Sequence, residues 1–157
     1  MRTNFITDKT EIESIINQCD ICFIGLTEAD GTPYVIPMNF GYANEQIYLH
    51  SAPEGKHIHL LELSNRICVT FCPERKLVFQ HPDVACSYSM LSKSVVCKGE
   101  VTFIEDLHEK AEALNSMMKK FSDRTFKYST PALGNVQVWR IKVDQITAKA
   151  FGQNYKN

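Results

Sequence analysis

Tryptophan occurs once in the 157 residues, and nowhere does the sequence carry a basic run, an internal repeat or a low-complexity linker. Lysine and arginine number 17 against 18 acidic residues, giving a formal net charge of −1 with the two signs interspersed. That balance argues against nucleic acid as the main partner, because a nucleic-acid surface gathers its cations on one face. No apolar stretch reaches the roughly 20 residues that cross a bilayer, so no spanning helix and no membrane role is expected. The opening MRTNFITDKTEIESI lacks the apolar core of a signal peptide, which makes the cytoplasm the expected location. The six cysteines are then expected to be reduced. Most lie in apolar runs, as in ICFIGL, RICVTFC and SVVCKG, where free cysteine packs as a small core residue.

Patterns for metals and nucleophiles are missing too. Cys19 and Cys22 have CxxC spacing but close a predicted helix, whereas a redox pair opens one, where the dipole stabilises a thiolate. Cys68 and Cys72 would lie ~13 Å apart along one strand. No second close pair completes a zinc pattern, so neither zinc nor a disulfide is expected. No Ser-His-Asp order and no carboxylate pair stands out. His57 and His59, two apart on a helix, do not face each other; His81 and His108 read as solvated. Catalysis would therefore have to come from a cofactor.

What is present is periodicity of two kinds, in a length that suits one domain. TDKTEIESIINQC reads as a helix with Ile12, Ile15, Ile16 and Cys19 on one face and Asp8 and Glu11 as a capping pair. ICFIGLT, TPYVIPMNFGY, QIYLHS, RICVTFC, SKSVVCKGEVTFIED and VQVWRIKV read as strands, the last extended by ITAKA. Pro37 marks an edge or a bulge in the second of these. GKHIHLLELS is a short predicted helix beginning near Pro53 or Glu54. DLHEKAEALNSMMKKF is a longer one, with Leu107, Ala111, Leu114, Met118 and Phe121 as its expected core stripe. PERKLVFQHPDVACSYSML divides between strand and loop, and FSDRTFKYSTPALGN is a polar connection with a helical turn. Strands that do not alternate regularly with helices point to a mainly β, antiparallel barrel or sandwich with flanking helices.

One junction stands apart. HSAPEGK, residues 50–56, places a histidine, a serine and a Gly-Lys pair where a strand hands over to a helix. It lacks the first glycine and the final Ser/Thr of a phosphate-binding P-loop. It keeps the physical ingredients of an anion seat: free helix N–H groups, a hydroxyl and a cation. Glu54 also suits a helix start, so an ordinary capped helix is the competing reading.

Four segments taken in order, IPMNFGY, QIYLHSAPEGKHIHLL, SKSVVCKGEVTFIEDLHEKAEAL and VWRIKVDQITAKA, resemble the FMN-binding split β-barrel proteins related to pyridoxamine 5′-phosphate oxidase, and among them the nitroimidazole-resistance branch. The resemblance implies a single FMN-binding domain over 1–157, a six- to seven-stranded antiparallel split β-barrel, and a homodimer with FMN between its subunits. It places Met38, Asn39 and Phe40 along the isoalloxazine edge, and His50 and Ser51 on the way to the ribityl phosphate. Lys56 would pair with the phosphate, Ser94 would approach the flavin, and Trp139 would come to it from the partner subunit. His50, beside the flavin and substrate pocket, is the catalytic candidate. The implied activity is FMN-dependent transfer of electrons from a reductant such as NAD(P)H to a small acceptor, for example a nitroimidazole-type nitroaromatic. A flavin storage or sensing protein and a haem-binding split-barrel relative are the alternatives. The chain departs from the pattern where it has Ser92-Lys93-Ser94 for Tyr-Arg-Ser and Thr147-Ala148-Lys149 for Thr-Gly-Lys. The arginine-rich elements of true pyridoxamine phosphate oxidases are absent.

Overall fold

The second predicted strand breaks in two, and the break organises the fold. In the computed structural model, which describes residues 3–73 and 75–152, Pro33–Asn39 and Gly41–Ala43 are separate strands with Phe40 between them. Number the strands β1 (Thr3–Ile6), β2 (Ile21–Thr27), β3 (Pro33–Asn39), β4 (Gly41–Ala43), β5 (Gln46–Ser51), β6 (Arg66–Phe71), β7 (Lys76–Val78), β8 (Ser89–Ile104) and β9 (Gln137–Phe151). The helices are α1 (Lys9–Asn17), α2 (Lys56–Leu63), α3 (Leu107–Met118) and α4 (Thr130–Gly134). The sheet runs β3-β2-β6-β8-β9-β5-β4, with β1 added to β9 and β7 to β8, and every pairing is antiparallel. Its two ends, β3 and β4, are consecutive in the chain. The sheet has therefore curled until its ends meet at Phe40, without hydrogen bonds closing the seam. The expected split barrel is present. Among the described residues it has nine strands rather than six or seven, because β1, β7 and the β3/β4 break were not legible as separate strands.

Alternation decides what fills the interior. Cys22, Ile24 and Leu26 of β2 are buried, while Ile21 and Phe23 face outward. On β9, Trp139 and Ile141 point inward and are fully buried. Phe40 sits at the seam with no exposed surface, its ring edge-on to Phe71 at 4.8 Å. α1 plugs one side with Ile15 and Ile16, and Asp8 caps it by accepting from the Glu11 N–H at 2.8 Å. Asn44 and Glu45, both at positive φ, make the two-residue turn between β4 and β5.

α3 lies on the outer side of β4 and β5, over a second small cluster of Ile104, Ala113 and Val138. Its buried face is not the expected stripe. Lys110, Ala113 and Met117 are buried, while Leu107 and Phe121 are exposed. Lys110 explains the rotation, since its amine donates to the carbonyls of Val136 (3.1 Å) and Leu133 (3.4 Å) at the end of α4 while its stem is covered.

The cysteines are free thiols: Cys19, Cys22 and Cys97 buried, Cys68 half-buried, Cys72 and Cys86 exposed. Burial pushes the Cys22 and Cys97 thiols up to about 12, which makes them inert core residues. Cys72 lies past the end of β6 rather than on it.

β8 and β9 slip register between Lys98 and Gly99, where the β9 bulge leaves Asp144 outside the pairing and Arg66 grips its carboxylate at 2.8 and 3.2 Å. A Cβ on Gly99 would stand 2.2 Å from the Lys142 carbonyl oxygen. Backbone cannot give way there as a side-chain tip can. Gly99→Ala is expected to destabilise the fold by about 3 kcal/mol or to prevent folding, measured as the urea midpoint; an unchanged midpoint would show that the bulge relaxes freely.

Candidate functional site

β5 ends at Ser51, and residues 52–55 carry the chain to α2. Gly55 has φ +130°, a conformation closed to most L-residues, and a Cβ there would press on the His57 ring at 3.0 Å. That backbone is not helical, so α2 starts at Lys56 and not at Pro53 or Glu54 as the sequence suggested. No side chain caps it. Its first amides therefore stand free at the positive end of an eight-residue helix.

Lys56 occupies that mouth. Its Nζ lies 2.8 Å from Glu28 Oε1 and 4.5 Å from the centre of the Tyr34 ring. The bond to Glu28 raises the ammonium pKa above its ordinary value. Glu28 and Tyr34 belong to the β2–β3 hairpin, so Lys56 reaches across the seam from β5 to β3. Neither contact was legible in the sequence, because Glu28 and Tyr34 lie more than 20 positions from Lys56. The Ser51 hydroxyl donates to the Ala52 carbonyl at 2.7 Å, leaving its lone pairs free.

The other predicted residues fall into three places. Met38 and Asn39 lie on β3, four and five residues beyond Tyr34, about 13–16 Å along the strand. β3 is a sheet end, so its edge has backbone groups that no strand pairs. Asn39 is exposed and donates to the Asp20 carbonyl at 3.4 Å; Met38 is half-buried against the core. Ser94 faces outward from β8, half-buried and opposite Lys149, with β2 and β6 between it and β3. That is about 14 Å across the sheet. Its neighbour Lys93 bonds Glu11 at 2.7 Å. Phe40 and Trp139 are sealed in the barrel and have no side-chain surface to offer a ligand. His50 and Ser51, adjacent in sequence, point to opposite faces of β5. His50 lies outside, opposite Val138, and keeps solvent contact, though nearby protein lowers its pKa by desolvation. The structure thus brings Lys56, Ser51 and the β3 edge to one seam and leaves His50 and Ser94 apart from it.

Asn39 is the register partner of Ile21, and Ile21 lines a cleft of about 950 Å³. Phe23, Leu77 and Met90 supply its apolar wall, and Arg75 and Cys72 its rim. The cleft lies between the outward face of β2 and the arm that carries β7. Sequence reasoning missed it because the arm divided between strand and loop. Among the described residues, no three metal-ligating side chains gather.

The sequence profile described as pyridoxamine 5′-phosphate oxidase matches residues 8–150. The chain belongs to that family. A candidate 5-nitroimidazole antibiotic resistance protein from Bacteroides thetaiotaomicron is 52% identical, with a TM-score of 0.88 over 96% of this chain and 88% of that one. More distant members of the fold include the flavocytochrome Anf3 from Azotobacter vinelandii, 20% identical, with a TM-score of 0.78 over 94% of this chain and 68% of that one. An FAD and heme binding protein from Mycobacterium smegmatis is 15% identical, with a TM-score of 0.83 over 100% of this chain and 77% of that one. No curated protein sequence matches. None of the helices is long and apolar enough to cross a membrane among the described residues.

Proposed function

We propose that the protein is a cytoplasmic, homodimeric FMN-dependent oxidoreductase that passes electrons from a reductant such as NAD(P)H to a small acceptor of the nitroimidazole type. The observation that carries this reading is Lys56 at the uncapped start of α2, an anion seat in a chain of this family. FMN fits the residues on three counts. The helix end and the ammonium suit its phosphate. The unpaired edge of β3 suits the hydrogen-bonding rim of its ring. The apolar cleft beside Ile21 suits the ring face. The distance from Tyr34 to Asn39 matches a mononucleotide laid along the strand.

When bound, the flavin supplies hydride acceptance and onward electron transfer. The chain's own residues hold and orient it: Lys56 and the α2 amides at the phosphate, Ser51 lone pairs toward the ribityl chain, β3 backbone at the ring. His50, its pKa lowered by desolvation, lies on the other face of β5, so it could serve in proton handling only for a ring held between two subunits.

The dimer rests on the outward sheet face. Phe23 and Val35 are 41% and 59% exposed there, and Leu77 and Phe79 on the β7 arm are 55% and 52% exposed. Large apolar side chains exposed together on a sheet face and its neighbouring arm support an interface there.

Freshly purified protein is expected to show flavin absorption bands, to release FMN on denaturation, and to oxidise NAD(P)H when a nitroaromatic acceptor is added. A Soret band would assign haem instead. Bound FMN without turnover of any reductant would make the protein a flavin carrier.

A further inference from the structure

Three side-chain nitrogens are sealed from solvent without a protein partner: His57 Nε2, Gln137 Nε2 and Trp139 Nε1. They lie at one end of the barrel. Gln137 and Trp139 are two apart on β9 and share its inward face. The His57 ring, from α2, packs on the indole with centroids 5.6 Å apart and planes tilted by 33°. The indole N–H finds no acceptor on this tilted ring or elsewhere among the described residues. Ser51, the register partner of Gln137, gives its hydroxyl proton to Ala52 and so does not serve His57 Nε2, and its oxygen accepts from neither of the other two nitrogens. Unpaired buried polar groups are costly, and two donors with an imidazole nitrogen on the neighbouring ring call for a shared partner.

We propose that one ordered water molecule is that partner. Trp139 Nε1–H and the Gln137 amide donate to its two lone pairs, and it donates one hydrogen to His57 Nε2, the imidazole carrying its own proton on Nδ1. Three bonds are what a buried water typically makes. An anion would also attract the two donors, but the ammonium of the adjacent Lys56 is turned to Glu28, and an unpaired buried charge is prohibitively costly. The water joins α2 to β9 through His57, the residue after Lys56. It thereby fixes the start of α2 against the barrel and acts as a positioning element for the Lys56 ammonium.

Because the chain has one tryptophan, ¹⁵N-labelled protein gives one indole N–H resonance. Water-selective NOE and ROE spectra are expected to show a cross-peak from that proton to water, with the sign of a long-lived bound molecule. Gln137→Leu, which keeps volume but removes the donor, should abolish the cross-peak and move the resonance upfield. His57→Phe, which keeps the ring packing, should do the same. Absence of the cross-peak in the wild type would overturn the proposal, whether or not the variants fold. So would a downfield indole proton with no water contact, which means that Trp139 donates to a reoriented Gln137 amide. So would a cross-peak that persists unchanged in both variants. No cofactor enters the measurement, so its failure leaves the proposed function standing.

Discussion

Replacing Lys56 by alanine should weaken FMN binding by roughly ten- to a hundredfold and leave riboflavin binding nearly unchanged, as expected for loss of one charge-assisted bond to a phosphate. The lower end of that range is the closer one, because the ammonium is half exposed and water screens it. Its ion pair with Glu28 adds a second, opposite expectation. The carboxylate 2.8 Å from Nζ occupies the direction a phosphate would take and repels it. Glu28→Gln should therefore tighten FMN binding severalfold while riboflavin again hardly responds. Titrating both ligands into both variants separates the phosphate term from general damage to the seam, which would weaken the two ligands alike. Wild-type affinity of Lys56→Ala for FMN would remove Lys56 from the site. If Glu28→Gln weakens FMN instead, the carboxylate is holding Lys56 in place for the phosphate rather than competing with it.

The residues that could be read from the sequence were those whose role is local. The Gly-Lys pair after QIYLHS announced a strand-to-helix junction, and α2 does start at that lysine. Only the special backbone of Gly55 moved the boundary, by two or three residues, and no pattern of side chains reports a φ of +130°. ICFIGLT and VQVWRIKV were legible as strands, and period-2 alternation applied to QIYLHS separates His50 from Ser51. The resemblance assigned both to one pocket. What could not be read depends on pairing over distance. Glu28 meets Lys56 across 28 positions. β1 is a strand because β9 runs on past its pairing with β5, which ends at Lys142, and offers β1 the edge opposite β8 at residues 148–151. α3 misled in a different way. A pattern that counts lysine as polar rotates the buried face away from Lys110, whose covered stem and carbonyl-bonded amine make it part of the core.

Phe23→Glu should convert the protein to a monomer. Phe23 sits midway along β2, paired with Pro37 on one side and Thr70 on the other, and Thr70 pairs with Val96 beyond. This row crosses the outward face, so a charge at Phe23 lies inside any contact made there. A two-fold dimer repeats each position, and the substitution would bury two carboxylates in or near one apolar contact. Like charges in an interface cost several kcal/mol, which is a loss of about a hundredfold or more in dimer affinity. The fold itself should survive, because the Phe23 ring is already 41% exposed and the interior residues of β2 are its neighbours Cys22 and Ile24. Sedimentation at micromolar concentration is expected to move from twice 17.9 kDa for the wild type to 17.9 kDa for the variant, with an unchanged far-ultraviolet spectrum. If the flavin is shared between subunits, the monomer should also lose FMN, including at protein concentrations that saturate the wild type. Because Phe23 also walls the cleft assigned to the ring, the loss of FMN counts for a shared site only if diluting the wild type to monomer releases FMN as well. A monomeric variant that keeps wild-type FMN affinity would confine the cofactor to one subunit's seam. A wild-type protein already monomeric at these concentrations would leave the outward apolar face unpaired with a second copy and sink the dimer.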